Sequence, residues 1–306
     1  MNGSESANNR AAASGITLAL IAFSGFPVGD AIVKSMAIDW PAAAVAALRF
    51  SIGAIALAVL LLWREGRDGF QIRRPWLHAA RGLALAVGTI TFFSAIYILP
   101  LAEAVAIAFV NPIITALLSG WLLKEKMRPA TWVATLVAFG GVLIMLRPNL
   151  AEFGWVAVLP LVSAFAMAAM LILNRMVSSQ RSIFAAQFYL SFWAAIFLII
   201  AATLGHLTVP VMVVGGLPGW DVVIKCTVIA ITATSCHFLL FMATMRTTAA
   251  AIAPLVYIQL IISSAISVYI FGDPIDSIAL IGGSLILLSG LMLWRSERKA
   301  ATVLEA

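Results

Sequence analysis

Residues 97–128 read YILPLAEAVAIAFVNPIITALLSGWLLKEKMR, and residues 245–276 read MRTTAAAIAPLVYIQLIISSAISVYIFGDPID. Each stretch is an apolar span closed by a short acidic turn, with Glu125 in the first and Asp273 in the second. The copies lie about 148 residues apart, and five apolar segments make up each half. When a unit of five spans is repeated along a chain, the second copy enters the bilayer from the side opposite to the first. The sequence therefore predicts two inverted five-helix repeats, residues 1–148 and 149–306, as in secondary transporters.

The composition predicts an all-α integral membrane protein. Of 306 residues, 63% are apolar and 10% are charged, and the mean hydropathy is +1.06. Backbone amides in lipid find partners only within a helix, so each long apolar run is expected to be helical. The sequence predicts ten such transmembrane helices, at residues 15–36, 41–63, 76–98, 101–123, 129–147, 154–174, 183–204, 220–244, 248–271 and 275–294.

The distribution of Lys and Arg predicts the orientation. Of the 19 basic residues, only Lys34, Arg147 and Lys225 fall on one side of the bilayer, and Arg49 and Arg81 fall within spans. The remainder lie on the other side, which the positive-inside rule assigns to the cytoplasm. We expect a multi-pass protein of a bacterial inner membrane with both termini cytoplasmic. Its net charge of +6 then faces anionic lipid headgroups rather than nucleic acid.

The sequence offers no sign of an enzyme. It has no glycine-rich phosphate-binding loop followed by Lys-Ser or Lys-Thr. The three histidines, at positions 78, 206 and 237, lie on different segments without metal-ligand spacing. Cys226 and Cys236 are ten residues apart on one helix, too far for a disulfide. We expect no catalytic residue, no metal and no cofactor, and as partners only a small-molecule solute and the lipid bilayer.

Charged residues within the spans are the first candidate functional residues, because ionisable groups in lipid are costly. Pro27 and its glycine neighbours predict a break in span 1. Asp30 and Lys34 follow, four residues apart on one helix face, where they could pair. Lys34, at the outer end, could equally extend to the interface.

Arg49 lies eight residues after Pro41 on span 2, about 12 Å into the membrane. An arginine at that depth needs a partner, for which Glu103 on span 4 is the first candidate and Asp30 the second. With Lys34, these residues could form a gate or present charges to a zwitterionic solute. A helix-packing salt bridge is the alternative.

Two amides are candidates for solute binding near the midplane. Asn111 precedes Pro112 on span 4, and Gln259 occupies the equivalent position on span 9. Polar groups beside interrupted helices suit a small polar solute. An interhelical hydrogen bond of about 0.6 kcal/mol is the alternative. Aromatic residues could line the same cavity, although each could simply pack: Tyr97, Tyr189, Trp193, His237, Phe238 and Tyr257.

Small residues line one face of span 5 and one of span 10. Such faces permit close helix approach. They could pack the bundle internally or form a homodimer, and the sequence leaves both open. The residues are Ala134, Ala138 and Gly141 on span 5, and Ala279, Gly283 and Gly290 on span 10.

Several motifs together resemble those of the EamA-type transporters of the drug/metabolite transporter superfamily. They are residues 30–34 (DAIVK), residues 47–50 (ALRF), residues 95–104 (AIYILPLAEA), Asn111-Pro112, residues 123–126 (LKEK) and residues 140–144 (GGVLI). The resemblance extends over both repeats and is strongest in the first. It implies ten helices, cytoplasmic termini and a central cavity lined mainly by spans 1, 3, 4, 6, 8 and 9. Family members carry amino acids, S-adenosylmethionine-like metabolites, sugars or drugs, often outward.

The second half departs from the pattern. Leu260 replaces the proline at 112, Ala251 replaces the glutamate at 103, and only Lys34 has a basic counterpart, Arg175. We expect a secondary transporter that moves a small zwitterionic metabolite, an amino acid or derivative, by alternating access. Export follows from the resemblance alone. The alternatives are a proton-coupled exporter of drugs or organic cations, an uncoupled facilitator or channel, and a membrane scaffold without a solute.

Overall fold

A computed structural model describes residues 2–72, 74–122, 129–177, 182–208, 216–244, 246, 253–273 and 276–304. Throughout these residues the chain is helical and contains no strand. The α-helices are α1 (Asn2–Lys34), α2 (Ala42–Glu65), α3 (Pro75–Ile96), α4 (Leu101–Ala108), α5 (Asn111–Leu122), α6 (Pro129–Phe153), α7 (Leu159–Val177), α8 (Ile183–Thr208), α9 (Trp220–Thr244), α10 (Ile258–Tyr269) and α11 (Ser277–Leu304). Short 3₁₀ segments lie at Arg67–Phe70, Gly154–Val158 and Ala253–Tyr257.

Six helical segments are long and apolar enough to cross a bilayer. They are Ala13–Lys34, Ala42–Glu65, Pro75–Ile96, Leu150–Asn174, Ile183–Thr208 and Trp220–Leu240. These segments confirm a multi-span helical membrane protein. Four shorter apolar helices, Leu101–Thr115, Trp132–Leu146, Leu255–Tyr269 and Ser277–Met292, lie where the other four spans were predicted. The count of ten spans therefore stays a prediction.

Helix breaks occur in spans 4 and 9, and not in span 1. The break in span 4 separates α4 from α5 immediately before Asn111-Pro112, because proline lacks the amide hydrogen that the preceding turn would bond. In span 9, a 3₁₀ turn precedes α10. The predicted break at Pro27 is wrong, since α1 runs through this residue. The side chain of His237 on α9 packs against the ring of Phe26 there, and neighbouring helices of this kind let transmembrane helices tolerate proline.

The helices pack in a regular set of pairs. The most extensive contacts join α6 to α11, α2 to α8, α3 to α7 and α1 to α9. Further contacts join α3 to α8, α2 to α9, α1 to α10, and both α4 and α5 to α7, while α4 packs on α10. Each long helix of the first half thus packs mainly on a helix of the second half, so the interior of the bundle lies between the two halves.

The small-residue face of span 5 packs on α11 within the chain. Ala134 and Ala138 of α6 are fully buried. A side chain at Gly141 would collide with the backbone carbonyl of Gly282 on α11 and with Ile286. These glycines permit the close approach of α6 and α11.

The small residues predicted on span 10 do not meet α6 in this way. Gly283 has Ala106 of α4 as its nearest neighbour, and Gly290 lies against Tyr257. A homodimer through either face stays a prediction.

Candidate functional site

Lys34, at the end of α1, joins three segments of the chain at one end of the bundle. Its ammonium group donates to the carbonyl oxygen of Leu99 at 2.8 Å and to Oδ2 of Asp273 at 2.9 Å. The Ser267 hydroxyl donates to the same carboxylate oxygen at 3.2 Å, and the ring of Phe271 lies 5.0 Å from the Lys34 nitrogen. Lys34 therefore pairs with Asp273, not with Asp30 one turn earlier. The four-residue spacing on α1 would allow Lys34 to pair with Asp30, but the turn after α10 places the Asp273 carboxylate within bonding distance of Lys34.

Four residues from α1, α2 and α9 form a polar group that we term the central cluster: Asp30, Arg49, Cys226 and His237. The charge of Arg49 interacts with Asp30, Cys226 and His237. Asp30 and Arg49 are half-buried, Cys226 is buried and His237 is exposed. The central cluster thus brings opposite charges together between α1, α2 and α9, and the charged side chains keep part of their surface accessible.

Aromatic rings border the central cluster. The guanidinium carbon of Arg49 lies 4.6 Å from the ring centroid of Phe50 and 5.5 Å from that of Phe93. Rings at these distances stabilise a cation through their negative faces. The His237 ring meets that of Phe26 edge to face, with centroids 5.0 Å apart. Its Nδ1 lies 2.7 Å from the carbonyl oxygen of Ala233 in the preceding turn, so Nδ1 is the protonated nitrogen when the ring is neutral.

Asp30, the second candidate from the sequence, supplies a carboxylate that acts on Arg49. Glu103 lines a groove of about 340 Å³ between α4, α10 and α11, and its pairing with Arg49 stays a prediction. The sequence places both acids near the outer half of the membrane, but the face of the helix on which each lies depends on packing. Ser264, Ser267 and Asp273 line the same groove as Glu103.

The two midplane amides lie beside the helix breaks. Asn111 is the first residue of α5, and its Oδ1 accepts a hydrogen bond from the Thr115 hydroxyl at 3.0 Å. Gln259 is the second residue of α10 and is half-buried. Tyr257 is buried just before it, edge to face with Phe109 at 5.9 Å between centroids. These contacts place Tyr257 in the packing between the two interrupted helices.

Two further tyrosines that were predicted to line the cavity donate hydrogen bonds to backbone carbonyls. Tyr97 lies at the C-terminal end of α3, and Tyr189 lies near the N-terminal end of α8. The Tyr97 hydroxyl donates to the carbonyl of Trp40 at 3.1 Å, which ties the end of α3 to the turn before α2. The Tyr189 hydroxyl donates to the carbonyl of Phe70 at 2.6 Å, in the 3₁₀ segment before α3. Both hydroxyls thus fasten connecting segments to the bundle.

A buried polar group near the start of α3 was missed by the sequence analysis. Nε of Arg81 donates to Oδ1 of Asn174 at 2.5 Å, and its Nη1 lies 3.2 Å from Nδ1 of His78. The three-residue spacing of His78 and Arg81 on one helix face was the available signal. We term His78, Arg81, Asn174 and Trp193 the inner cluster. The Trp193 backbone packs against Gly82.

The charged groups of the site are suited to binding a charged solute. Within the described ranges, no group of three or more His, Cys, Asp or Glu residues could hold a metal ion. The central cluster offers a guanidinium, a carboxylate and an imidazole from three helices. A solute that carries one negative and one positive group would satisfy both charges.

Comparison with known proteins gives concordant results. Residues 13–147 match the EamA-like transporter family, which confirms the resemblance found in the sequence. An S-adenosylmethionine uptake transporter of Rickettsia bellii is 28% identical over 256 residues, 84% of each chain. A pseudopaline exporter of Pseudomonas aeruginosa is 25% identical over 291 residues, 93% of this chain and 97% of its own. A solved crystal structure, at 19% identity, has a TM-score of 0.60 over 95% of this chain and 99% of its own, and so shares the fold.

Proposed function

Because this chain carries an EamA-like transporter domain in residues 13–147, we propose that it is an alternating-access carrier of a small zwitterionic metabolite. The family and its relatives make the protein a membrane transporter of a small metabolite. The zwitterion, the mechanism and the direction are our proposal. A relative is named for uptake and another for export, and a carrier of this kind runs in the direction that the gradients set. Export stays the expectation from the family.

One observation carries the proposal, namely that opposite charges from α1 and α2 lie close enough to interact and keep part of their surface accessible. Arg49 remains protonated at any accessible pH, and its planar fork suits a carboxylate. Asp30, which acts electrostatically on Arg49, would receive the ammonium or sulfonium group of the solute. S-adenosylmethionine, the solute named for one relative, carries an amino group, a carboxylate and a sulfonium. The central cluster offers Arg49 to the carboxylate and Asp30 to one of the two cationic groups.

Alternating access is supported by the way in which the two halves pack. In inverted repeats, each span has a counterpart five spans later. The contact of α1 with α9 then corresponds to that of α7 with α3, and the contact of α3 with α8 to that of α9 with α2. All four of these helix contacts occur in the structure. In the α1–α9 contact Gly25 lies against Cys236, and in the α3–α7 contact Gly88 lies against Ala166 and Met167.

The Lys34 contacts support a closed outer end in the proposed carrier. Lys34 joins α1 to the α3–α4 turn through Leu99 and to the α10–α11 turn through Asp273. Asp30 lies one helical turn from Lys34, so contacts at this position would separate the central cluster from the outside. We propose that this ion pair is an outer gate that opens when the carrier faces outward.

A thermal-stability screen of the purified protein tests the proposal. A ligand at 100 times its dissociation constant adds about 2.7 kcal/mol to stability. We expect S-adenosylmethionine or a related amino acid to raise the melting temperature, and the Arg49→Ala variant to lose the effect. The Arg64→Ala variant, which removes an exposed arginine, is the matched control. Stabilisation by organic cations that Arg49→Ala retains would favour a drug or cation exporter instead.

A further inference from the structure

The inner cluster contains a buried cation without an acidic partner. Arg81 is 5% exposed, and its guanidinium contacts the side chains of Asn174 and His78. In the part of the chain that the structure describes, no carboxylate pairs with it. A guanidinium has five N–H donors, and these two contacts involve Nε and Nη1. A charge buried in a membrane protein without a counter-charge is costly and marks a functional position.

Two more buried polar atoms of this cluster lack a hydrogen-bond partner among the described residues. They are Nε2 of His78 and Nε1 of Trp193. Buried polar atoms are almost always hydrogen-bonded in folded proteins. His78 is fully buried, and the backbone and Cβ of Trp193 pack on Gly82, the residue after Arg81 in α3. An indole N–H can only donate, so the unused groups around Arg81 are predominantly donors. A donor-rich, positively charged interior is suited to an anion.

We propose that Arg81, together with Trp193 and His78, forms a second binding position for the carboxylate of the transported solute, on the cytoplasmic side of the central cluster. The inference rests on the proposed carrier function. Phe93 of α3 borders Arg49, and Arg81 lies twelve residues earlier on the same helix, about 18 Å along its axis. The carboxylate would be held by Arg49 in the central cavity and by Arg81 at its inner end.

A carboxylate from the solute fits this position better than a lipid headgroup. Arg81 is buried where α3 packs on α7 and α8, inside the bundle rather than on its lipid-facing surface. The planar guanidinium fork matches the two oxygens of a carboxylate. Asn174 fixes the fork by accepting from Nε, which leaves the outer nitrogens for the anion. A phosphate group could bind the guanidinium in the same way as a carboxylate. A phosphate would reach this buried position only as part of a transported solute.

The test compares two probes that differ only by the carboxylate, S-adenosylmethionine and its decarboxylated form. Uptake of each is measured in proteoliposomes for the wild type, Arg81→Gln and Trp193→Phe. Loss of a buried, hydrogen-bonded charge partner weakens binding about tenfold or more. We therefore expect Arg81→Gln to raise the KM of S-adenosylmethionine by about tenfold and to leave that of the decarboxylated form unchanged. Trp193→Phe should act in the same direction by a smaller factor.

Matched controls separate binding from folding. Arg64→Gln removes an exposed arginine from the same side of the bundle and should change neither KM. Arg81→Lys keeps the charge without the fork and should give an intermediate KM if Arg81→Gln does not fold. Because the Trp193 nitrogen has no partner among the described residues, Trp193→Phe should keep the melting temperature.

The outcomes distinguish the inference from the function. An equal loss with both probes, or no change with either, in variants that fold as the wild type does would overturn the carboxylate position while leaving the carrier intact. Transport of neither probe by the wild type would overturn the proposed function for this class of solute, and the inference with it.

Discussion

Arg49 and Asp30 illustrate the balance of energies around a charge inside the bundle. An arginine at the centre of a transmembrane helix costs about 2.5–3.5 kcal/mol by insertion measurements. The electrostatic interaction with Asp30 and the rings of Phe50 and Phe93 offset part of this cost. The accessible surface that both charges keep lets water or a solute offset more of it. The central cluster is therefore adapted to exchange partners.

The two charges of the central cluster should be energetically coupled. Asp30→Ala leaves Arg49 without its carboxylate and should lower the melting temperature, because removing one partner of a buried pair costs more than removing both. The double variant Asp30→Ala/Arg49→Ala should lose less unfolding free energy than the two single variants lose in total, by about 1 kcal/mol. Thermal unfolding of the four proteins in detergent measures this coupling.

Glu103 supplies the control for that cycle. It lines the groove between α4, α10 and α11, so Glu103→Ala and Arg49→Ala should be additive within about 0.5 kcal/mol. Coupling of Arg49 to Glu103 rather than to Asp30 would favour the first pairing expected from the sequence over the pairing with Asp30.

Asn111 is predicted to contribute to solute binding. If its amide contacts the solute, Asn111→Ala should reduce transport while the melting temperature changes little. Thr115→Val removes the hydroxyl that donates to Asn111 and keeps the shape of the side chain, so it should affect transport less. Initial rates and melting temperatures of both variants decide the question. A large loss of stability in Asn111→Ala with unchanged affinity would assign the amide to helix packing.

The sequence predicted which residues are candidates for function better than it predicted which side chains contact each other. The depth of Arg49 and its need for an acid follow from its position in an apolar run, and the structure supplies that acid. The identity of the acid depends on which helices are neighbours and how each is rotated, which no local pattern encodes. Arg81 was not chosen as a candidate for the same reason. What distinguishes it is that the helices packed on α3, namely α7 and α8, carry no acidic residue to pair with it.

At the scale of elements, the contacts of Lys34 with Leu99 and Asp273 form the gate that we propose. The Lys34–Asp273 pair is mostly shielded, with side chains 12% and 28% exposed, whereas the Lys225–Asp39 pair nearby is 34% and 38% exposed. Exposed pairs contribute about 0–1 kcal/mol. The shielded pair, which also bonds Leu99, is therefore the stronger constraint on the outer end.

Breaking this gate should expose the central cluster to the outside. In a Cys236→Ser background, Cys226 beside Arg49 is the single thiol. Lys34→Gln should speed its labelling by an impermeant reagent added outside, about tenfold if the gate contributes about 1.4 kcal/mol. The charge swap Lys34→Asp/Asp273→Lys should slow the labelling again. Unchanged labelling in Lys34→Gln would make the ion pair a packing contact without a gating role.

The interrupted spans show where pattern and structure diverge at this scale. Pro112 lies at a real break and Pro27 does not, although both are prolines within apolar runs. A proline removes one hydrogen bond in either case, and the surrounding helices decide whether the axis continues. α1 packs along α9, which holds it straight through the residue, whereas α4 and α5 pack on different sets of neighbours.

At the scale of the whole molecule, the inverted arrangement predicts that equivalent turns lie on opposite sides of the membrane. A single cysteine at Asp276 should label from outside intact cells. A single cysteine at Lys126, which lies outside the described residues, should label only after the cells are opened. Both are placed in a cysteine-free background with surface expression verified. Labelling of both from the same side would contradict inverted repeats.

The central claim, a carrier that exposes one charged cavity alternately to each side, is tested most directly by counterflow. Proteoliposomes are loaded with unlabelled S-adenosylmethionine and diluted into a trace of the labelled compound. We predict that the label accumulates transiently above its external concentration, and that Arg49→Ala abolishes the overshoot whereas Arg64→Ala retains it. Entry of the label only to equilibrium, whether or not the vesicles are preloaded, would indicate a channel or facilitator and contradict alternating access.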